Sequence, residues 1–221
     1  MISLVKKNSA FYLPYFLFLL CGAVILVTVD KLSIYQFINT HHCTIADLFF
    51  TYWTNLGLGW LVIPVALILA FVSLRDVIIA VICFLVSFTI NDSIKWIART
   101  PRPAEVFEQL HQTFYAVPNV ELYHWNSFPS GHTATSFCLF SLLALIASKK
   151  YLKFILFLVA FLVAYSRMYL SEHFLIDVYF ASIIGVLTTL FLYNAIMKWQ
   201  WLNKLPIMSK PLINLQTRTQ Q

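Results

Sequence analysis

Three short blocks of sequence contain most of the side chains in this chain that could carry out chemistry. Together they supply three fixed cations, two imidazoles and one carboxylate. Ionisable groups are costly in or near a lipid bilayer, so their concentration in an otherwise apolar chain indicates a functional site. Cations beside a histidine are typical of a site that binds a phosphate anion and attacks its phosphorus. In chain order the members are Lys95, Arg102 and Pro103; Pro129, Ser130, Gly131 and His132; and Ser166, Arg167, His173 and Asp177.

Five of these residues are predicted to bind phosphate. Lys95 offers a point charge, whereas Arg102 and Arg167 offer planar forks that match phosphate oxygens. Ser130 and Gly131 stand where an apolar helix is predicted to begin, and free N–H groups at a helix N-terminus bind anions. Gly131 also lets the backbone approach a ligand closely.

Three residues are predicted to carry out the transfer. His173 and Asp177 are four residues apart, so on a helix they share a face. The carboxylate can hold one imidazole N–H and fix the tautomer, which leaves the other ring nitrogen free to attack phosphorus. That attack forms a covalent phosphohistidine. His132 is predicted to protonate the leaving group and then to accept a proton from water.

The composition indicates an all-α, polytopic integral membrane protein. Of 221 residues, 60% are hydrophobic and 11% are charged, and the mean hydropathy is +0.78. Soluble domains carry roughly a quarter charged residues. The formal charge of +6 does not indicate nucleic acid, because most basic residues outside the three blocks lie at the ends of apolar runs. The cysteines show no CxxC spacing, and neither a disulfide framework nor a metal or cofactor is predicted.

Six apolar segments are long enough, or nearly so, to cross a hydrocarbon core about 30 Å thick as helices. The first exceeds the apolar region of a signal peptide, so it is predicted to be a span. The chain is predicted to be one domain, 1–221, with a cytoplasmic tail over 199–221. The six predicted spans are Phe11–Val29, Gly57–Leu74, Val77–Ile94, Gly131–Ser148, Tyr151–Tyr169 and Phe174–Met197.

The distribution of basic residues predicts the orientation. With both termini in the cytoplasm, ten of the fifteen lysines and arginines fall on the inner side. The six-span path then brings all three blocks to the outer surface, where Lys95, Arg102 and Arg167 account for most of the remaining cations. In a bacterium this places the site on the periplasmic side of the inner membrane. No nucleic acid and no obligatory protein partner are predicted; the partners are the bilayer and a phosphorylated lipid.

The three blocks resemble the signatures of the type 2 phosphatidic acid phosphatase family, K-x6-R-P, P-S-G-H and S-R-x5-H-x3-D. They read KWIARTPRP from Lys95, PSGH from Pro129 and SRMYLSEHFLID from Ser166. The resemblance covers 95–177 in detail and the six-span plan over nearly the whole chain. It implies the roles assigned above, no metal, and a compact bundle with a short extra interfacial helix before the second span, for which Thr44–Thr54 is the candidate.

The expected function is removal of a terminal phosphate from a membrane lipid. An isoprenyl pyrophosphate, phosphatidylglycerol phosphate, phosphatidic acid or a lipid A phosphate would each fit. The loop Ala104–Phe128 is the expected wall of the headgroup pocket. A lipid-to-lipid phosphotransferase, a vanadate-dependent haloperoxidase and a six-span transporter of phosphorylated lipids are the alternatives.

Overall fold

The computed structural model describes residues 1–199, together with Met208 and Lys210. The predicted tail, 199–221, therefore lies almost entirely outside the described residues. The described part is helical apart from one isolated antiparallel bridge between Pro101 and Trp125, which confirms the all-α class. Its α-helices are α1 (Ile2–Lys7), α2 (Ser9–Thr28), α3 (Lys31–Asn39), α4 (Thr44–Trp53), α5 (Val62–Ala70), α6 (Leu74–Ala98), α7 (Pro103–Gln109), α8 (Gly131–Ile146), α9 (Lys150–Tyr169) and α10 (Leu175–Lys198).

Four helices are long and apolar enough to cross a membrane, namely α2, α6, α9 and α10. They coincide with the first, third, fifth and sixth predicted spans. Their outward surfaces carry large apolar side chains such as Leu17, Leu85 and Phe191, which would be costly in water. The chain is thus an integral membrane protein.

The predicted second span, Gly57–Leu74, contains the second piece of a bent pair of helices. Two helical pieces, Thr44–Gly57 and Gly59–Ala70, are bent by 60° about a break at Leu58. A side chain at position 57 would come within 2.8 Å of His132 Cβ, so the glycine allows the chain to turn tightly against α8. Helix α4 covers the stretch suggested for a short extra helix, but it is the first half of this bent pair. Its placement at the interface stays a prediction.

The predicted fourth span, Gly131–Ser148, corresponds to α8, which has only 16 residues. At about 1.5 Å per residue this helix is roughly 24 Å long, shorter than a hydrocarbon core. It is also the most enclosed helix, since residues such as Phe137, Leu139 and Leu142 have no exposed surface. By length and composition the described residues contain four spans, or five if the bent pair counts as one. The count of six stays a prediction.

Helices α8 and α10 pack together closely enough to exclude a single methyl group. A Cβ atom at Gly185 would lie 2.5 Å from the carbonyl oxygen of Ala134 and 2.8 Å from the amide nitrogen of Cys138. Thr189 Oγ1 donates a hydrogen bond of 3.0 Å to the Cys138 carbonyl in the same contact. Small residues and interhelical hydrogen bonds are the usual basis of close helix packing in membranes. This contact sets the distance between two helices whose N-terminal ends carry His132 and Asp177.

Gly185→Ala is expected to destabilise the protein, because the added carbon must push backbone atoms of α8 away. Overpacking of this kind costs about 1–3 kcal/mol. The thermal unfolding midpoint in detergent should fall clearly for Gly185→Ala. It should change little for Leu187→Ala, which removes an exposed side chain from the same helix. Equal midpoints for the two variants would contradict the close contact.

Candidate active site

Four helix ends meet at one end of the bundle and carry the residues predicted from the three blocks. Lys95 lies in the last turn of α6 and Arg167 in the last turn of α9. His132 lies in the first turn of α8 and Asp177 in the first turn of α10. Four positions separated by up to 82 residues in sequence thereby come to the same region of the fold. The order of the long helices does this, because α8, α9 and α10 run in alternating directions.

A short pairing of two loop segments joins the first block to the second. The Arg102 amide donates to the His124 carbonyl at 2.8 Å, and the Ser127 amide donates to the Thr100 carbonyl at 3.0 Å. The Phe128 amide donates to the Thr100 hydroxyl at 2.9 Å. These bonds fix the backbone that carries the Arg102 side chain and leads into α8.

The loop Ala104–Phe128 has two parts with different contacts. In its first part, Tyr115 bonds Asn39 and Asp47, and the ring of Phe107 packs on Tyr35. Its last part faces Arg102, whose guanidinium lies 5.2 Å from the centre of the Tyr123 ring. Its role as the wall of a headgroup pocket stays a prediction.

Lys95 lies beside the start of α8. A Cβ atom on Gly131 would be 3.9 Å from Lys95 Nζ and equally far from Asn91 Nδ2. Because glycine has no side chain, no side-chain atom at position 131 lies between the ammonium group and the N-terminus of α8. Ser130 is fully buried, and its own amide donates to the Asp177 carbonyl at 3.2 Å. The Ser130 amide is therefore not free for an anion, which differs from the prediction. Its hydroxyl, which accepts a bond of 3.0 Å from Thr133, is the group that could contribute.

Arg102 and Arg167 are joined through one carboxylate that the sequence analysis did not single out. Glu172 Oε2 pairs with Arg102 Nη1 and lies 3.4 Å from Arg167 Nη2. Arg102 Nε donates to the Trp125 carbonyl at 3.0 Å, and Arg167 Nη1 donates to the Thr54 hydroxyl at 2.7 Å. Both guanidinium groups are thereby held in fixed orientations.

One donor of this arginine pair is unused. Arg167 Nε is buried and has no hydrogen-bond partner among the residues that the structure describes. Buried polar atoms without partners are rare in native proteins and often mark a ligand position. The arginine thus has a donor available for an anion while its other nitrogens are held by Thr54 and Glu172.

His173 is buried, and its Nδ1 side faces two polar groups. Nδ1 lies 3.5 Å from Asp177 Oδ2 and 3.4 Å from Ser127 Oγ. Asp177 Oδ2 accepts shorter bonds, 2.5 Å from the Ser127 hydroxyl and 2.8 Å from the Phe174 amide. The carboxylate therefore caps α10 and orients Ser127 as well as facing the histidine. Nε2 is the ring nitrogen that these contacts leave free.

Burial lowers the pKa of His173 well below its usual value near 6.5. The positive charges of Arg102, Arg167 and Lys95 lower it further, in that order. Both effects disfavour a positive charge on the ring. The imidazole is consequently neutral at neutral pH, the state in which a ring nitrogen can act as a nucleophile.

Two cavities meet at Lys95. The larger, about 410 Å³, is open and mainly polar, whereas the smaller, about 180 Å³, reaches from His132 to the apolar break of the bent pair at Leu58. Asp92 and Lys95 line both. The larger cavity is lined by Asp92, Lys95, Trp96, Arg99, Trp125 and Asn126.

Sequence reasoning missed Thr54, Ser127 and Glu172, each of which contacts a predicted residue. Thr54 lies 113 positions before Arg167, and no sequence signal connects them. Glu172 could have been noticed, because it is an acidic residue directly before His173 within the third block.

Thr54→Val is expected to weaken phosphate binding, because Arg167 loses the neutral oxygen that holds Nη1. Losing one hydrogen bond to a charged group corresponds to about a tenfold change in affinity. The affinity is read from the rise of the thermal midpoint with inorganic phosphate. Thr51→Val is the matched control, since Thr51 bonds a carbonyl of its own helix, and it should keep wild-type affinity. Equal affinities in the two variants would exclude this role for Thr54.

His173 is expected to make the fold sensitive to acid. Its pKa is depressed in the folded state, so below about pH 6.5 the unfolded chain binds a proton that the folded chain does not. The free energy of unfolding therefore decreases as the pH falls below 6.5, whereas above 6.5 the titration of His173 does not change it. Between about pH 6.5 and pH 5 the decrease is about 2 kcal/mol. The thermal unfolding midpoint should fall less between about pH 6.5 and pH 5 in His173→Asn than in wild type or in the exposed-site control His41→Asn. An equal fall in His173→Asn and wild type would contradict a neutral imidazole in the folded state.

Comparison with known proteins identifies the family. The model of the PAP2 superfamily matches residues 76–201. The structure resembles that of LpxE from Aquifex aeolicus, with a TM-score of 0.68 and 29% identity over 76% of this chain and 98% of that one. It also resembles a PAP2-type phosphatidylglycerolphosphate phosphatase from Bacillus subtilis, with a TM-score of 0.63 and 26% identity over 88% and 98% of the two chains. A search of curated proteins gives no match. The family model covers more than half of the chain, all three blocks included, and the chain therefore belongs to the PAP2 superfamily.

Proposed function

We propose that this protein is a lipid phosphatase that removes the terminal phosphate of a membrane lipid through a phosphohistidine at His173. The observation that carries the proposal is a buried, neutral histidine whose Nδ1 faces Asp177 and Ser127. Its free Nε2 lies in the field of three cations, those of Lys95, Arg102 and Arg167. The similarity to a phosphatidylglycerolphosphate phosphatase supports a phosphorylated lipid as the substrate class.

The reaction proceeds in two displacements. His173 Nε2 forms a bond to phosphorus while the bond from phosphorus to the lipid oxygen breaks. His132, which takes up a proton once the bound phosphate offsets the surrounding cations, gives that proton to the departing oxygen. Water then attacks the phosphohistidine, His132 takes the water proton, and the N–P bond breaks to release inorganic phosphate. Lys95, Arg102, Arg167, the Ser130 hydroxyl and the Gly131 amide hold the non-bridging oxygens throughout.

The two adjoining cavities support an amphipathic substrate. A headgroup fits the open polar cavity that contains Arg99 and Trp125, and an apolar chain fits the smaller one beside Leu58 and Phe88. Lys95 lines both cavities, so a terminal phosphate held by Lys95 would lie where the polar and the apolar parts of the substrate meet. A lipid monophosphate or a lipid pyrophosphate satisfies this arrangement.

We further propose the predicted orientation and span count. Six crossings would consist of the four long helices, the bent pair with α4 near the interface, and the short enclosed α8, all in one domain, 1–221. Lys153 Nζ bonds Asn8 Oδ1 at 2.5 Å, which puts the starts of α2 and α9 together at the end opposite the candidate site. Basic residues concentrate at that end, which supports a cytoplasmic N-terminus and a site on the outer, periplasmic side of a bacterial inner membrane.

The proposed chemistry needs no metal ion. Mg²⁺ in other phosphoryl-transfer sites neutralises developing charge on the phosphoryl oxygens. Here three side-chain cations take that role. Phosphate release by the purified protein should therefore continue in the presence of EDTA.

His173→Ala is expected to reduce phosphate release from a lipid panel by several orders of magnitude, because the nucleophile is lost. The panel contains phosphatidic acid, phosphatidylglycerol phosphate, an isoprenyl pyrophosphate and a lipid A phosphate, each assayed with EDTA. The control His41→Ala removes an exposed histidine and should keep wild-type turnover. Wild-type turnover of His173→Ala would overturn the mechanism, whereas label appearing in a second lipid instead of inorganic phosphate would indicate a phosphotransferase.

A further inference from the structure

Glu172 is a buried carboxylate that neither the family signatures nor the proposed reaction uses. The residue is 2% exposed and lies directly before His173. One of its oxygens, Oε2, contacts both Arg102 and Arg167. Burial raises the pKa of the Glu172 carboxyl, and the charges of Arg167 and Arg102 lower it. Since both guanidinium groups are in direct contact with the carboxylate, the charged form is the one that these contacts stabilise.

The backbone holds Glu172 in this position. Its amide donates to the Arg167 carbonyl at 3.0 Å, and the amide of His173 donates to the same carbonyl at 3.1 Å. Ser171 adopts a left-handed conformation, with φ of 60°, which turns the chain sharply after α9. The carboxylate therefore belongs to a tight turn between Arg167 and His173, and a ligand can enter without displacing it because Arg167 Nε remains unused.

The charges of the site depend on this residue. Lys95, Arg102 and Arg167 contribute three positive charges, and Glu172 is the carboxylate that directly offsets one of the two arginine charges. The other nearby carboxylates lie elsewhere: Asp177 accepts bonds from the Ser127 hydroxyl and the Phe174 amide, and Asp92 lines both cavities with Lys95. A phosphate monoester near neutral pH carries a charge of about −1.5 to −2. Without Glu172 the two arginines would therefore retain the anion more tightly.

We propose that Glu172 is a positioning and specificity-determining residue: it orients the guanidinium groups of Arg102 and Arg167 and offsets one of their two positive charges. This rests on the proposed function, in which these cations bind the phosphate of the substrate. The consequence is that product phosphate leaves readily and that anions of higher charge gain no large advantage.

Glu172→Gln tests the charge, because it keeps the shape of the side chain. Affinities for inorganic phosphate and for pyrophosphate are measured by thermal-shift titration of the purified protein. Both should rise, by about threefold for phosphate and about tenfold for the more highly charged pyrophosphate. In turnover assays the KM and the kcat should fall together, since phosphate is bound more tightly and released more slowly.

Two control variants distinguish the effect of the Glu172 charge from that of its shape and from that of removing any nearby negative charge. Glu172→Asp keeps the charge, so its phosphate affinity should stay close to that of wild type although its kcat falls. Glu121→Gln removes an exposed carboxylate on the same face and should change affinity less than about twofold, since exposed charges are screened. If Glu172→Gln does not fold, the pair Glu172→Asp and Glu172→Asn makes the same comparison at a shorter length.

Unchanged or weaker anion binding in Glu172→Gln, or equal affinities in Glu172→Asp and Glu172→Asn, would overturn the proposal. Either result would mean that the carboxylate only fills space between the arginines. The binding measurement does not require turnover. A wild-type protein that binds phosphate but hydrolyses no lipid would therefore contradict the proposed function. The anion affinities of the Glu172 variants would still decide whether Glu172 offsets charge in the site.

Discussion

Three cations gathered at one end of an apolar bundle repel each other, and the arrangement of the helices around them offsets that repulsion. Lys95 and Arg167 lie in the last turns of α6 and α9, where the partial negative charge of a helix C-terminus stabilises a cation. Asp177 lies in the first turn of α10, where a carboxylate is stabilised in the same way. Glu172 joins the two arginines directly. The directions of α6, α9 and α10 are thus matched to the sign of the charge at their ends.

The same field decides the state of His173. Because the imidazole is buried among cations, its pKa is lowered and the ring is neutral, so it is a candidate nucleophile. Its Nδ1 atom faces Asp177 and Ser127. Moving any of the four helix ends would change both the binding of an anion and the protonation of the histidine. The close contact between α8 and α10 at Gly185 fixes the distance between two of these helix ends.

Much of this arrangement could be predicted from the sequence, and the remainder has identifiable physical reasons. Long apolar runs give the four long helices, because a lipid-facing backbone must bond to itself. A helix over Thr44–Thr54 was predicted separately from a span that begins at Gly57, but the 60° bend between them was not predicted. The close contact of Gly57 with His132, which the sequence does not reveal, accounts for that bend. The shortness of α8 was also missed, since an enclosed helix need not match the thickness of the bilayer. Thr54, Ser127 and Glu172 act through tertiary contacts, which spacing along the chain does not reveal.

The most direct test of the account is a structure of the protein with bound orthovanadate, an analogue of the transferring phosphoryl group. The account predicts vanadium bonded to His173 Nε2, with its oxygens contacting Lys95, Arg102 and Arg167 and with Arg167 Nε among the donors. His132 should face the oxygen opposite His173. Vanadate bound away from His173, or held by the arginines with Nε2 pointing elsewhere, would contradict the claim that the three blocks form one phosphoryl-transfer site.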